Sequence, residues 1–205
     1  MEVVPLGADF RQRQQASEAQ IPENVRKAAG EGAYILMVGT IEPRKNHRLL
    51  LRAYDEGLRQ AGYRVVKADN DVLCGHMEDF ERELRAHADY NSGIFHFDGL
   101  EDSAIDYLYQ HARFVAFCSY AEGFGLPLLE AVQRGTPVIA ADIPVSREVL
   151  GAYCDWFGQD DAADLCRAVL EYEDEEKYRQ RKESLKECRP ASWAQCCERV
   201  RRILV

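Results

Sequence analysis

Residues 114–140 read FVAFCSYAEGFGLPLLEAVQRGTPVIA. Phe114-Val115-Ala116-Phe117 is an uninterrupted apolar run, the pattern of a strand covered on both faces. A turn bearing Gly123 and Gly125 follows, and a helical stretch over residues 127–134 comes next. Proline sits just inside its start and Gly135 just past its end, the asymmetry that helix termini favour. Pro137-Val138-Ile139-Ala140 is apolar again. A strand, a helix and a second strand in such close succession make a parallel crossover, which closes with right-handed geometry.

The same alternation extends outward in both directions. Tyr34-Ile35-Leu36-Met37-Val38-Gly39 is a buried strand stopped by glycine. Asn46 is suited to cap a helix running to about Gln60, with Leu49, Leu50, Ala53, Tyr54 and Leu58 at helical spacing. The next strand is either residues 64–67 or residues 71–74, and the second segment is favoured. Residues 78–87 read as a charged helix and 94–97 as a strand. Residues 100–111 read as a helix begun at Asp102 or Ser103, and residues 153–157 as a short last strand. Strands that alternate with helices give a doubly wound parallel α/β sheet. From Asp160 onward the chain reads as a helical, polar extension, whose acidic residues 171–176 form a solvated helix end. Residues 1–32 read as a lead-in, and residues 33–205 as one domain.

Bulk properties narrow the class. The 205 residues are 46% hydrophobic and 30% charged, the balance of a soluble domain able to bury a core. No apolar run reaches membrane-spanning length. The first residues lack an export signal, so a cytoplasmic location is expected. A net charge of -9 argues against nucleic-acid binding. Lys and Arg concentrate in residues 177–205. This concentration is most simply a solvated helix face, with an approach surface for anionic lipid, a peripheral membrane contact, as the sharper alternative. The seven cysteines are odd in number, irregular in spacing and without a C-x-x-C pair, which fits reduced thiols. The five histidines form no H-x-x-x-H pair, so no zinc site is expected.

In open α/β sheets ligands bind beyond the carboxyl ends of the strands, and two loops there carry chemistry. The first is Gly39-Thr40-Ile41-Glu42-Pro43-Arg44-Lys45-Asn46. Arg44 and Lys45 place two positive charges beside a helix start, an arrangement suited to a diphosphate. No G-x-G-x-x-G is present, which removes the main support for a dinucleotide site. The second loop holds Glu122, the Gly123-Phe124-Gly125-Leu126 turn, and Glu130 on the first turn of the following helix. Glycines let backbone N–H groups face a ligand, and a carboxylate such as Glu130 can accept two hydrogen bonds, as from a ribose diol. Asp69-Asn70-Asp71 is a D-x-D triplet; such triplets are common by chance, and no metal is assigned to it.

EGFGLPLLEA, continued by GTPVIAADIPVSREV, resembles the E-x7-E region of glycosyltransferase family 4. VGTIEPRKN resembles that family's first donor-domain strand and phosphate loop, and VVPLGADF its entering linker. Ala191-Ser192-Trp193 resembles the start of its closing helix. The resemblance implies the C-terminal, Rossmann-like half of a two-domain GT-B enzyme that binds a nucleotide-sugar, retains anomeric configuration and needs no metal or other cofactor. It implies that Arg44 and Lys45, with Gly39 and Thr40 in their loop, hold the donor diphosphate. Glu130 would then hold the ribose and Glu122 would act as the catalytic residue at the transferred sugar. The amides of Gly123, Phe124, Gly125 and Leu126 would bind sugar hydroxyls or phosphate, and residues 97–100 would lie near the base. The acceptor, a glycan or lipid-linked glycan, is expected on an N-terminal domain that these residues do not include. TIEPRKN together with ADIPVSREV resembles O-antigen-type mannosyltransferases, which implies GDP-mannose. Two other readings compete: a non-catalytic nucleotide-sugar-binding or scaffold module, and a nucleotide-sugar epimerase of the same fold.

Overall fold

The computed structural model describes residues 4, 6–8, 18–30, 32–70 and 77–204. Six parallel strands form its sheet: β1 (Tyr34–Val38), β2 (Arg64–Ala68), β3 (Ile94–Phe97), β4 (Phe114–Phe117), β5 (Val138–Ala141) and β6 (Asp155–Phe157). Their spatial order is β3-β2-β1-β4-β5-β6. Helices α1 (Glu23–Gly30), α2 (His47–Ala53), α3 (Glu78–Ala86), α4 (Asp102–His111), α5 (Leu126–Gln133) and α6 (Pro144–Leu150) accompany the strands. Then α7 (Ala162–Leu170), α8 (Glu175–Leu185) and α9 (Trp193–Leu204) form the helical C-terminal part. This is the Rossmann-like doubly wound sheet expected from the sequence.

The sheet divides the core in two. Ile35 and Met37 of β1 face one cluster with α2 and α7, which supply Leu49, Leu50, Leu165 and Val169. Tyr34 and Leu36 face the other, with α1, α4 and α5. Strands buried on both faces explain the continuous apolar runs. Within the lead-in, α1 packs Val25, Ala28 and Ala29 into the second cluster.

The second strand is a correction. It lies at Arg64–Ala68, whereas the favoured residues 71–74 fall outside the described residues. Arg64 and Lys67 conceal it in the sequence, because charged residues are rarely buried. Here the Arg64 guanidinium donates to the Gly32 carbonyl at 2.8 Å, and the Lys67 ammonium pairs with Asp69. Asn46 is a second correction. It adopts a left-handed conformation (φ 51°, ψ 47°) where the 3-10 turn Pro43–Lys45 meets α2, and its side chain does not cap the helix. Instead Asn46 Nδ2 donates to Asp160 Oδ1 at 3.3 Å. The α2 segment then passes into one π-helical turn, Tyr54–Leu58.

The later helices begin as their sequences direct. Asp161 and Asp174 side chains cap α7 and α8. At α9, Gln195 N donates to Ser192 Oγ at 3.1 Å, while Ser192 N donates to Gln195 Oε1 at 2.8 Å. That reciprocal pair is a capping box. The acidic residues 171–176 are only partly the solvated helix end that was expected: they comprise a 3-10 turn, Glu171–Glu173, and the first turn of α8, with Glu171 paired to Lys177 and Arg167.

Candidate functional site

The strand order reverses direction between β1 and β4, where the β1 crossover leaves one way and the β4 crossover the other. Such a switch point opens a crevice at the carboxyl ends of the two strands. The loop after β1 carries Arg44 and Lys45, and the loop after β4 carries Glu122. A backbone bond ties the loops together, from Tyr120 N to the Arg44 carbonyl at 2.8 Å.

Three charged candidates meet there. Lys45 Nζ lies 3.1 Å from Glu122 Oε1, and Arg44 Nη1 pairs with Glu122 Oε2. Ser119 Oγ donates to Glu122 Oε1 at 2.8 Å. The side chains of Glu122 and Lys45 are only 8% and 9% exposed, while Arg44 is 43% exposed at the rim. Gly39, at φ +122°, passes so close to Lys45 that a Cβ there would lie 3.2 Å from its Nζ. Glu42 holds Arg44 from the far side, with Arg44 Nε donating to Glu42 Oε2 at 2.7 Å. Thr40 Oγ1 also donates to Glu42. The bonds from Thr40 and Arg44 keep the Glu42 carboxyl below its ordinary pKa.

His47 supports this loop from beneath. Its buried ring donates from Nε2 to the Thr40 carbonyl at 3.0 Å, and Nδ1 has no partner. The ring is therefore the neutral Nε2–H tautomer, and burial pushes its pKa down to about 3.

Glu130 stands apart from that cluster. It is the fifth residue of α5, one turn further than the first-turn position expected for it. Its Oε2 accepts from the Tyr109 phenol at 2.9 Å. Between the two glutamates the chain turns through Gly123, which is exposed, Phe124, which packs against the second core cluster, and Gly125 (φ +86°), which precedes Leu126 at the helix start. The structure thus joins Gly39, Thr40, Arg44, Lys45 and Glu122 in one network. It places Glu130 at the far end of the glycine turn, on a separate one.

Four residues of these networks, Ser119, Glu42, His47 and Tyr109, lay outside the sequence assignment. Glu42 stands in the loop that carries Arg44 and Lys45, and Ser119 three residues before Glu122. Tyr109 gave no signal, because its role depends on how α4 packs against α5.

Beside the crevice, the loops after β2 and β3 are bonded through Asp69 N to the Phe97 carbonyl (3.1 Å) and Leu100 N to the Asp69 carbonyl (2.9 Å). Asp69, His96 and Asp98 bring potential ligand atoms within 4.8 Å of one another. His96 Nε2 is 2.6 Å from Asp98 Oδ1 but off the line of a hydrogen bond. The Lys67 ammonium pairs with Asp69 and already supplies a cation to that carboxylate. Asp71, the last member of the D-x-D triplet, is outside the described residues. Among the described residues, no helix is long and apolar enough to cross a membrane.

The chain is similar to the serotype-specific mannosyltransferase WbdA of Escherichia coli, 33% identical over 174 residues that cover 82% of this chain and 20% of the relative. It is similar to the O-antigen chain mannosyltransferase B of Escherichia coli, 37% identical over 58% of this chain and 31% of the relative. A third relative is a D-inositol 3-phosphate glycosyltransferase of Nocardia farcinica, 31% identical over 70% of this chain and 32% of that protein. The chain thus spans only about a fifth of the length of WbdA. Among solved structures, a UDP-forming α,α-trehalose-phosphate synthase from Burkholderia xenovorans shares the fold. Its TM-score is 0.64 at 12% identity, over 80% of this chain and 42% of that one. The model of the family Glycosyl transferases group 1 matches residues 20–186, and this chain belongs to that family.

Proposed function

We propose that these residues form the donor-binding domain of a retaining glycosyltransferase whose donor is a nucleoside diphosphate sugar, with GDP-mannose the leading candidate. The observation that carries this reading is the meeting of Arg44, Lys45 and Glu122 at the switch point, beside the glycine turn. Two adjacent cations suit the two charged groups of a diphosphate. The mannosyltransferase names of two relatives support mannose as the sugar. The acceptor in this reading is a growing glycan.

Glu122 now pairs with both cations, sharing Arg44 with Glu42, and an arriving diphosphate displaces it from them. Its carboxylate is thereby released toward the sugar. When the glycosidic bond to phosphate breaks, the electron pair departs with the diphosphate, and Arg44 and Lys45 oppose the growing negative charge. Glu122 lies near the sugar carbon, where positive charge develops. No metal takes part in this account, since side chains supply the cationic partners.

The test is calorimetric titration of the chain with GDP and with UDP in the presence of EDTA. Binding should persist under chelation. Lys45→Ala should weaken it about tenfold or more, the loss expected on removing a hydrogen bond between charged groups. Failure of both nucleotides to bind, or equal affinity in Lys45→Ala, would overturn the assignment.

A further inference from the structure

Glu130 projects from α5, and a glutamate side chain has several rotatable bonds before its carboxylate. Something must aim it if it is to meet a ligand in one geometry. The structure supplies such a constraint. Tyr109 of α4 is fully buried, and its phenol donates to Glu130 Oε2 at 2.9 Å. The tyrosine is itself fixed at its main chain, where Thr136 Oγ1 donates to the Tyr109 carbonyl at 2.6 Å. Arg134 covers the ring with its guanidinium carbon 4.9 Å from the centroid. Arg134 Nη1 also donates to the Glu130 carbonyl at 2.9 Å.

The charges in this group are apportioned. Arg134 pairs its guanidinium with Asp106, Nε to Oδ1 at 2.8 Å, and bonds Glu130 only through the backbone. The Glu130 carboxylate therefore accepts from a neutral phenol. Burial, and next the neighbouring Glu130 charge, push the Tyr109 pKa well above its ordinary value, so the phenol remains a donor. A carboxylate oxygen has two lone-pair sites, so one bond from Tyr109 leaves capacity for a pair of hydroxyls.

We propose that Tyr109 is the positioning residue for Glu130, and that through this bond it sets the site's selectivity for a ribose bearing free 2′ and 3′ hydroxyls. The proposal rests on the donor-site reading above. Tyr109, buried beside Glu130, thereby favours ribonucleoside diphosphates over their deoxy forms.

The test compares whichever of GDP and UDP the chain binds with the 2′,3′-dideoxy form of the same nucleotide. The proteins are the unmodified chain, Tyr109→Phe, Glu130→Gln and the double variant. Tyr109→Phe should weaken the ribonucleotide about fivefold and leave the dideoxy nucleotide within about twofold, given what one hydrogen bond to a charged group contributes. Glu130→Gln should show the same selectivity. The double variant should be no weaker than Glu130→Gln alone, because the two act through one contact. A purely structural tyrosine would weaken both nucleotides equally, and that result, like unchanged binding of both, overturns the proposal. If Glu130→Gln leaves ribonucleotide affinity unchanged, the ribose assignment itself falls, and the role of Tyr109 with it. Thermal melting of Tyr109→Phe, which loses one oxygen and keeps the ring, shows whether the fold is retained.

Discussion

Glu122 gives one carboxylate oxygen to Arg44 and the other to Lys45 and Ser119. In the proposed site it competes with the diphosphate for the same two cations. Glu122→Gln removes the competing charge while keeping the shape. Binding of the bare nucleoside diphosphate should then tighten about three- to tenfold, the scale of a partly buried ion pair. Sugar transfer by the full enzyme should nonetheless fall, because the carboxylate beside the developing positive charge is lost. Titration with the diphosphate and a kcat measurement give the two halves of the result; weaker diphosphate binding in Glu122→Gln would contradict the exchange. At this scale the sequence disclosed the residues by type: paired cations before a helix and a carboxylate before a glycine turn. It did not disclose that Glu122 bonds both cations, since the two loops lie far apart in the chain.

The turn between β4 and α5 must redirect the chain within a few residues, and Gly125 does so at φ +86°. A Cβ there would also lie 3.0 Å from Leu128 Cδ1. Gly125→Ala should therefore cost about 1–3 kcal/mol in urea denaturation. It should also weaken nucleotide binding, since the turn sets the spacing between Glu122 and Glu130. Gly123→Ala is the contrast: an added Cβ meets nothing within 4 Å and the backbone is not left-handed, so stability should change little. Equal losses in the two variants would show that the turn's conformation is not what matters. Elements with strong punctuation were legible in the sequence, and α5, with Pro127 near its start and Gly135 after it, is the clearest. The strand β2 was not, because Arg64 and Lys67 break its apolar run, and the bonds they make to the Gly32 carbonyl and to Asp69 appear only in the folded chain.

Two histidines matter to the molecule as a whole. His47 is held neutral by burial with its pKa at about 3, and burial lowers that of His96 too. In the unfolded chain both titrate near the ordinary value of about 6.5. Below that value the unfolded state binds protons that the folded state refuses, so stability should fall with decreasing pH, and His47 accounts for a window from about 6.5 down to about 3. One such group gives a slope of up to about 1.4 kcal/mol per pH unit. Urea denaturation midpoints across this range should show the decline, and His47→Gln should flatten it; an unchanged slope would mean that His47 is not the group responsible. The doubly wound class was legible from alternating strands and helices. The spatial order of strands was not, because it depends on which crossover turns back, and nothing local in the sequence records that choice.

That order has a consequence for how the protein comes into being. The seam between β1 and β4, where Ile35 pairs with Phe114, joins segments separated by two whole β–α units. Closing so long a loop is entropically costly, and non-local pairing is what slows the folding of parallel sheets. Arg44 and Lys45 belong to one side of the seam, Glu122 and Glu130 to the other. Neither side alone holds all the residues of the proposed site. On the donor-site reading, the capacity to recognise a nucleotide therefore arises only when this most distant pairing of the sheet closes, and a ribosome still synthesising β4 has made Arg44 and Lys45 but not yet the two glutamates.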